Sequence, residues 1–281
     1  MREWDFSTGP RGLTLRICEW GEPRPGVLPK LVLHGYLEQG AAWHAVATHL
    51  GGHVFAPDHR GHGLSEHVGA GGFYHFWDYI SDVDALVTHL GGKVDLIGHS
   101  MGGTIASLYA GARPETVRKL VLIEGLGPPD ASAESPTERA RLFLLHRRHL
   151  PDHSPVADLD DAVRRMRKFN PRLPLETAQA LAARILRPRP EGGLTWTWDP
   201  QHRSRSAIPF VAANFAQFLA AIDAPTLLID GAHGFSVPDA DWRASHLKNA
   251  QRVRIDDAGH LLHHDQPAEL ARVIVAFLDA S

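Results

Sequence analysis

A single cysteine, Cys18, is all that the 281 residues contain, which rules out an internal disulfide framework and suits a reducing compartment. Apolar runs are short, and none reaches the roughly 18 residues a membrane-spanning helix needs. The opening Met1-Arg2-Glu3-Trp4-Asp5 lacks the cationic start and apolar core of a signal peptide. A cytoplasmic protein without membrane insertion is expected. Excess charge of either sign is missing too. Lys and Arg number 29 against 32 Asp and Glu, a formal net charge of −3, so nothing drives the chain toward nucleic acid or anionic membrane. The 19 histidines include no HExxH pair, and neither a metal nor another cofactor is expected. The partner that remains is a small molecule, with a monomer or homodimer as the assembly.

Hydrophobic residues at 43% and charged residues at 22% supply a sizeable core. The length suits one large α/β domain carrying an insertion. Residues 3–8 and 13–20 alternate around Gly9-Pro10-Arg11-Gly12 as an antiparallel hairpin. Short apolar strands follow at 30–33, 53–57, 94–97 and 119–123, then at 226–229 and 252–255. Helical spacing marks 41–50, 73–90 and the stretch after Ser100, and a closing amphipathic helix covers 267–278. This alternation predicts a mostly parallel, doubly wound sheet covered on both faces.

The rhythm breaks from 126 to 208, where prolines and arginine-rich helical segments replace the strand pattern. A helical insertion is expected there, with the α/β core in 1–125 and 209–281. Its Arg164-Arg165-Met166-Arg167-Lys168 run reads as a solvated helix face rather than an anion site. Phe143, Leu144, Phe169, Trp196 and Trp198 read as the insertion's own core, while remaining compatible with an apolar substrate.

The rest is organised around residues 93–112, KVDLIGHSMGGTIASLYAGA. A buried-strand pattern (Val94, Leu96, Ile97) runs into Gly98-His99-Ser100-Met101-Gly102, and a helix follows. Strand, glycine-flanked serine and helix form the context of a G-x-S-x-G nucleophile elbow. Such a turn strains the serine backbone and pushes the Ser100 hydroxyl out of the sheet edge. It also aims the Met101 N–H, at a helix N-terminus, toward an oxyanion formed there. A base should end another strand. His260, in Asp257-Ala258-Gly259-His260 after the last strand, carries an imidazole, the side chain suited to take and return the serine proton. His263 and His264 are weaker candidates and read as packing or rim residues. The second oxyanion donor is expected from the loop His34-Gly35-Tyr36 after the first parallel strand, through the Tyr36 N–H.

Taken together, HGYL, DHRGHGLS, GHSMGG and AGH followed by HHDQP resemble, in order, the α/β-hydrolase superfamily, most closely its cap-bearing members with a serine nucleophile. The resemblance implies Ser100 as nucleophile, His260 as base, and Tyr36 and Met101 as oxyanion-hole donors. It gives Asp58 and Arg60 a loop-stabilising part, and serine at the nucleophile position argues against epoxide hydrolase or haloalkane dehalogenase chemistry. One departure stands out. The family's Gly-x-x-Asp after the penultimate strand is matched by Gly231-Ala232-His233-Gly234, with Pro238 beyond, so the acid position holds Gly234. A carboxylate is still needed to fix the His260 tautomer. Glu124, ending the strand after the elbow helix, is the leading candidate, as in a minority of the superfamily. Asp239 and Asp230 remain alternatives, and Glu124 could instead cap the next segment or pair with an arginine of the insertion.

The chemistry expected is that of a carboxylesterase-like serine hydrolase, class EC 3.1, acting through an acyl-enzyme on an ester, thioester or lactone. Cofactor-free lyase or oxygenase work, C–C hydrolysis, and a non-catalytic ligand receptor are the alternatives. The fold by itself does not choose among them.

Overall fold

The computed structural model describes residues 1–10, 12–149 and 152–280. Strands β1 (Arg2–Ser7) and β2 (Thr14–Trp20) pair antiparallel from Arg2↔Glu19 to Ser7↔Thr14. Arg11, expected in the turn between them, lies outside the described residues. Then come β3 (Lys30–Leu33), α1 (His44–Leu50), β4 (Val54–Pro57), α2 (Phe76–His89), β5 (Val94–His99), α3 (Met101–Ala112) and β6 (Val117–Ile123). After β6 the chain forms α4 (Pro136–Arg148), α5 (Leu159–Phe169), α6 (Leu175–Arg184), β7 (Leu186–Pro188), β8 (Leu194–Trp196) and α7 (Ala212–Ala221). It finishes with β9 (Thr226–His233), α8 (Ala240–Ala244), β10 (Ala250–Gly259), α9 (Leu262–Asp265) and α10 (Pro267–Asp279).

Eight strands make one sheet in the order β1-β2-β4-β3-β5-β6-β9-β10. All pairings from β4 to β10 are parallel. Strands buried on both faces need apolar residues at every position, and these have them. Leu33, Leu96, Leu120, Leu122 and Leu228 pack under α2, α3 and α7, whereas Val32, Ile97, Val121, Ile123 and Ile229 pack under α1 and α10. The doubly wound α/β reading is what the chain folds into. From β3 the chain winds outward to β4 on one side and then returns to β5 on the other. The carboxyl ends of β3 and β5 therefore flank a crevice at the switch in winding, the usual place for a ligand on such sheets.

The segment between β6 and α7 differs in one respect from its sequence pattern. Beside three helices it contains the β7–β8 hairpin, in which Leu186 pairs with Trp196 and Pro188 with Leu194. Strands of three residues show no periodicity, and Gly192 and Gly193, both at positive φ, close the turn. Val156, Ala162, Val163, Leu173, Ala178 and Ala182 form a separate small core there, with Trp196 packed on it. Phe169 and Leu144 correct the expected core list. Leu144 is 58% exposed, and Phe169 is 82% exposed and lines the cavity above Ser100. The arginine run is solvated as expected, with Arg164 and Arg165 paired to Asp161 of their own helix.

Candidate active site

Four strand ends converge at the crevice. The turn from β5 into α3 places Ser100 at φ +52°, ψ −116°, a conformation costly for any residue with a side chain and kept where the surroundings enforce it. Enforcement comes from contact. A Cβ at Gly102 would lie 2.1 Å from the Leu33 carbonyl oxygen, so only glycine lets α3 start this close to β3. The Ser100 N–H donates to the Ile123 carbonyl on β6 (2.9 Å).

His260, just past β10, points its Nε2 at Ser100 Oγ (3.0 Å) and its Nδ1 at Glu124 Oε2 (3.2 Å). Glu124 follows β6 at φ +49° with its side chain buried. Its two oxygens accept the Gly231 N–H (2.8 Å) and the Phe235 N–H (2.6 Å). The carboxylate thus fills the space Gly234 leaves empty, where an added Cβ would meet Glu124 Oε1 at 1.8 Å. Asp230 and Asp239 are engaged elsewhere, the first with Arg252 (2.5 Å) and the second with the buried Arg243 (2.9 Å). Among the three carboxylates proposed from sequence, Glu124 is the one brought to His260. Tyr36 and Met101 line the same cavity, and among the described residues the N–H of neither donates to another protein group.

Asp58 and Arg60 sit where loop work would put them. Asp58 accepts the Gly40 and Leu64 N–H groups (2.7 and 2.8 Å) and meets Arg184, and Arg60 grips Asp82 with two nitrogens. His263 is buried, stacked 4.8 Å from the Trp43 ring and joined to Glu38 (2.8 Å), and His264 lies 3.7 Å from the same carboxylate.

Glu38 and His99 escaped the sequence reading. Glu38 accepts the Gly35 N–H (2.9 Å), His99 Nδ1 (3.0 Å) and His263 Nε2 (2.8 Å). Burial pushes its carboxyl upward, but the His263, His264 and His99 rings around it hold it well below the ordinary carboxylate range. An ionised Glu38 only accepts. The other nitrogen of His99 faces the His260 carbonyl (2.7 Å), also an acceptor. Both ring nitrogens of His99 thus face acceptors, and a buried His99–Glu38 contact lies behind Ser100. It ties the loops after β3, β5 and β10 together. Glu38, His99 and His263 also have donor atoms within 4.8 Å of one another, but those atoms are spent on each other and on Gly35. The available signal was an acid three residues after the His34-Gly35 pair and a histidine directly before Ser100.

A second histidine group, His34, His59, His62 and His202, underlies the Tyr36 loop, with His62 and His202 ring centres 4.0 Å apart. Burial holds all four below the usual imidazole value, His202 down to about 4. His34 donates from Nδ1 to the Gly35 carbonyl (2.7 Å) and accepts the His59 N–H at Nε2 (2.9 Å), which requires the neutral ring.

The cavity over Ser100 has a volume of about 550 Å³, a size common for small-molecule sites. Phe73, Phe76, Tyr79, Phe169 and Phe235 make most of its lining apolar, while Ser100, His260 and Glu124 supply its polar end. Among the described residues no helix is long and apolar enough to cross a membrane.

Comparison with known proteins bears on the family and the fold. A serine hydrolase-like protein of Danio rerio is 28% identical over 286 residues, covering 92% of this chain and 86% of its own. The 3-hydroxybutyrate-oligomer hydrolase of Cupriavidus necator is 32% identical, covering 93% and 92%. The solved thioesterase domain from the curacin biosynthetic pathway superposes with a TM-score of 0.88 at 32% identity, over 98% of this chain and 99% of that one. Residues 31–267 match the family model described as the alpha/beta hydrolase fold, and the chain belongs to that family.

Proposed function

We propose that this protein is a serine hydrolase that cleaves carboxylic esters or thioesters through an acyl-enzyme, with residues 126–208 as a cap. The observation that carries the reading is the unbroken line from Ser100 Oγ through the His260 ring to Glu124. His260 Nε2 takes the hydroxyl proton as Oγ attacks the carbonyl carbon, and the carbonyl electron pair moves onto oxygen. The Met101 N–H at the start of α3 and the Tyr36 N–H donate to that oxyanion. Its collapse expels the alcohol or thiol, which receives the proton from His260. Water then repeats the sequence on the acyl-Ser100 bond, releasing the acid and restoring the serine. Glu124 holds the Nδ1–H tautomer throughout and balances the imidazolium as it forms. The Gly231 and Phe235 N–H groups, which hold its two oxygens, suit Glu124 to that part. Support for ester chemistry also comes from the hydrolases among its relatives, and for thioesters from the curacin-pathway domain. Support for a cap comes from Phe169, Gln201, His202 and Ser204, which line the cavity from that segment.

Ser100→Ala tests the reading. Turnover of p-nitrophenyl butyrate should fall by about 10³ to 10⁶, and labelling by a fluorophosphonate should vanish. A Ser100→Ala enzyme that keeps most of its turnover would refute the acyl-enzyme and favour His260 acting alone as a base.

A further inference from the structure

Beside the Ser100 cavity lies a second one of about 530 Å³. Tyr74, Phe76, Pro128, Pro129, Ser204 and Ser206 line both, so the two share a wall made chiefly of rings. Beyond the wall the lining is aromatic and aliphatic. Phe210 packs 5.3 Å from Phe215 and 6.4 Å from Phe76, Trp77 lies 5.9 Å from Phe218, and Leu108 and Val211 complete it. Its charged side chains are two arginines and two carboxylates, and they are already engaged. Arg139 and Arg205 both meet Glu134, and Asp130 accepts the Ala212 N–H (2.7 Å). No net charge is left to attract an ion, so the space suits a neutral apolar group.

The shared wall is preformed. Buried Arg243 donates from Nη1 to the Leu126 and Pro128 carbonyls (2.7 and 2.8 Å), and its guanidinium lies 5.4 Å from the Phe210 ring centre. Gly127, at φ +87°, has no room for a side chain, because a Cβ would fall 2.7 Å from Arg243 Nη1 and 2.8 Å from Phe210. The loop that leaves Glu124 is thereby pinned between the two cavities.

We propose that the second cavity receives the distal part of a long, neutral acyl chain whose carbonyl sits at Ser100. The substrates are then esters or thioesters of medium- to long-chain aliphatic acids. The proposal rests on the acyl-enzyme reading above. It is the acyl part that stays on the enzyme between the two chemical steps, so an adjoining apolar space serves it. The alcohol must leave, and the exposed Phe169 and Phe235 stand on the solvent side of the first cavity. Contacts to the remote end of the chain can help position the carbonyl, so they raise turnover as well as binding.

The test measures kcat/KM on p-nitrophenyl esters from acetate to dodecanoate, for the wild type and for Val211→Trp and Asn214→Trp. Both substitutions place an indole in the second cavity alone. The wild type should favour octanoate to dodecanoate over butyrate. Each variant should lose about tenfold or more on dodecanoate while keeping butyrate within about twofold, which also reports an intact fold. Dodecyl acetate, with its chain on the alcohol side, should be indifferent to both substitutions. A wild-type optimum at acetate or butyrate overturns the proposal. So do equal effects on short and long acyl esters, or a sensitivity confined to dodecyl acetate. Ser100→Ala separates the two levels. If it stays active, the acyl-enzyme reading itself fails; if it is inactive and chain length is ignored, only the second cavity is lost.

Discussion

Glu124 is strained, buried and doubly hydrogen-bonded at once, and that combination makes it testable by a single atom. Glu124→Gln keeps the volume but replaces an acceptor facing His260 Nδ1 with an amide that no longer favours the required tautomer. The expected result is a drop in kcat of about 10² to 10⁴ with KM changed little. Asp239→Asn should leave turnover at the wild-type level. Its cost should appear in stability, at about 1 kcal/mol, since Arg243 loses one partner whose carboxylate is itself partly exposed. If Glu124→Gln turns over like the wild type, or Asp239→Asn loses activity instead, the acid has been misassigned. Glu38 invites a similar substitution. Glu38→Gln puts an amide where Gly35, His99 and His263 all need an acceptor, and stability in urea denaturation should fall by about 1 to 3 kcal/mol. Unchanged stability would mean that the contact does not hold the three loops together.

At the scale of elements, the site depends on one empty position. The turn after β9 brings Gly234 against the carboxylate that comes from β6, two strands that are neighbours in the sheet. A methyl there must displace Glu124, which two backbone N–H groups hold in place. Gly234→Ala is therefore expected to lower kcat by about tenfold to a hundredfold, because displacements near 1 Å at a reacting group cost that much. Steady-state kinetics would show it, and a Gly234→Ala enzyme with wild-type kcat would mean that Glu124 is not the acid or moves freely. The same scale shows what sequence patterns carry. Val32, Ile97 and Val121 sit in runs whose neighbours are also apolar, and such runs announce buried strands. The β7–β8 hairpin, with two prolines and three-residue strands, announces nothing.

Over the whole molecule the common element is buried, neutral histidine. His202 is pushed down to about 4 and His263 to about 3, in each case chiefly by burial, and His34, His59 and His62 shift the same way. In the unfolded chain each takes up its proton near 6.5. Between these values the unfolded state binds more protons than the folded one, so stability is full above about pH 6.5 and declines as pH falls toward 4. Each fully affected histidine contributes a slope of about 1.4 kcal/mol per pH unit. Urea denaturation from pH 8 to pH 5 should show a plateau and then a fall, and a flat profile to pH 5 would count against the neutral cluster. The elbow around Ser100, the parallel strands and the placement of His260 after the last strand were all legible in the chain. Each is a local pattern, in which a few consecutive residues determine backbone shape and burial. Other features were decided only by folding. Glu124 already led Asp239 in the sequence, but its contact with His260, the Glu38–His99 pair and the cavity behind Pro128 each join segments distant in sequence. Which strand ends meet, and which side chain enters a space a glycine leaves open, follows from close packing in three dimensions, and residue spacing holds no record of it.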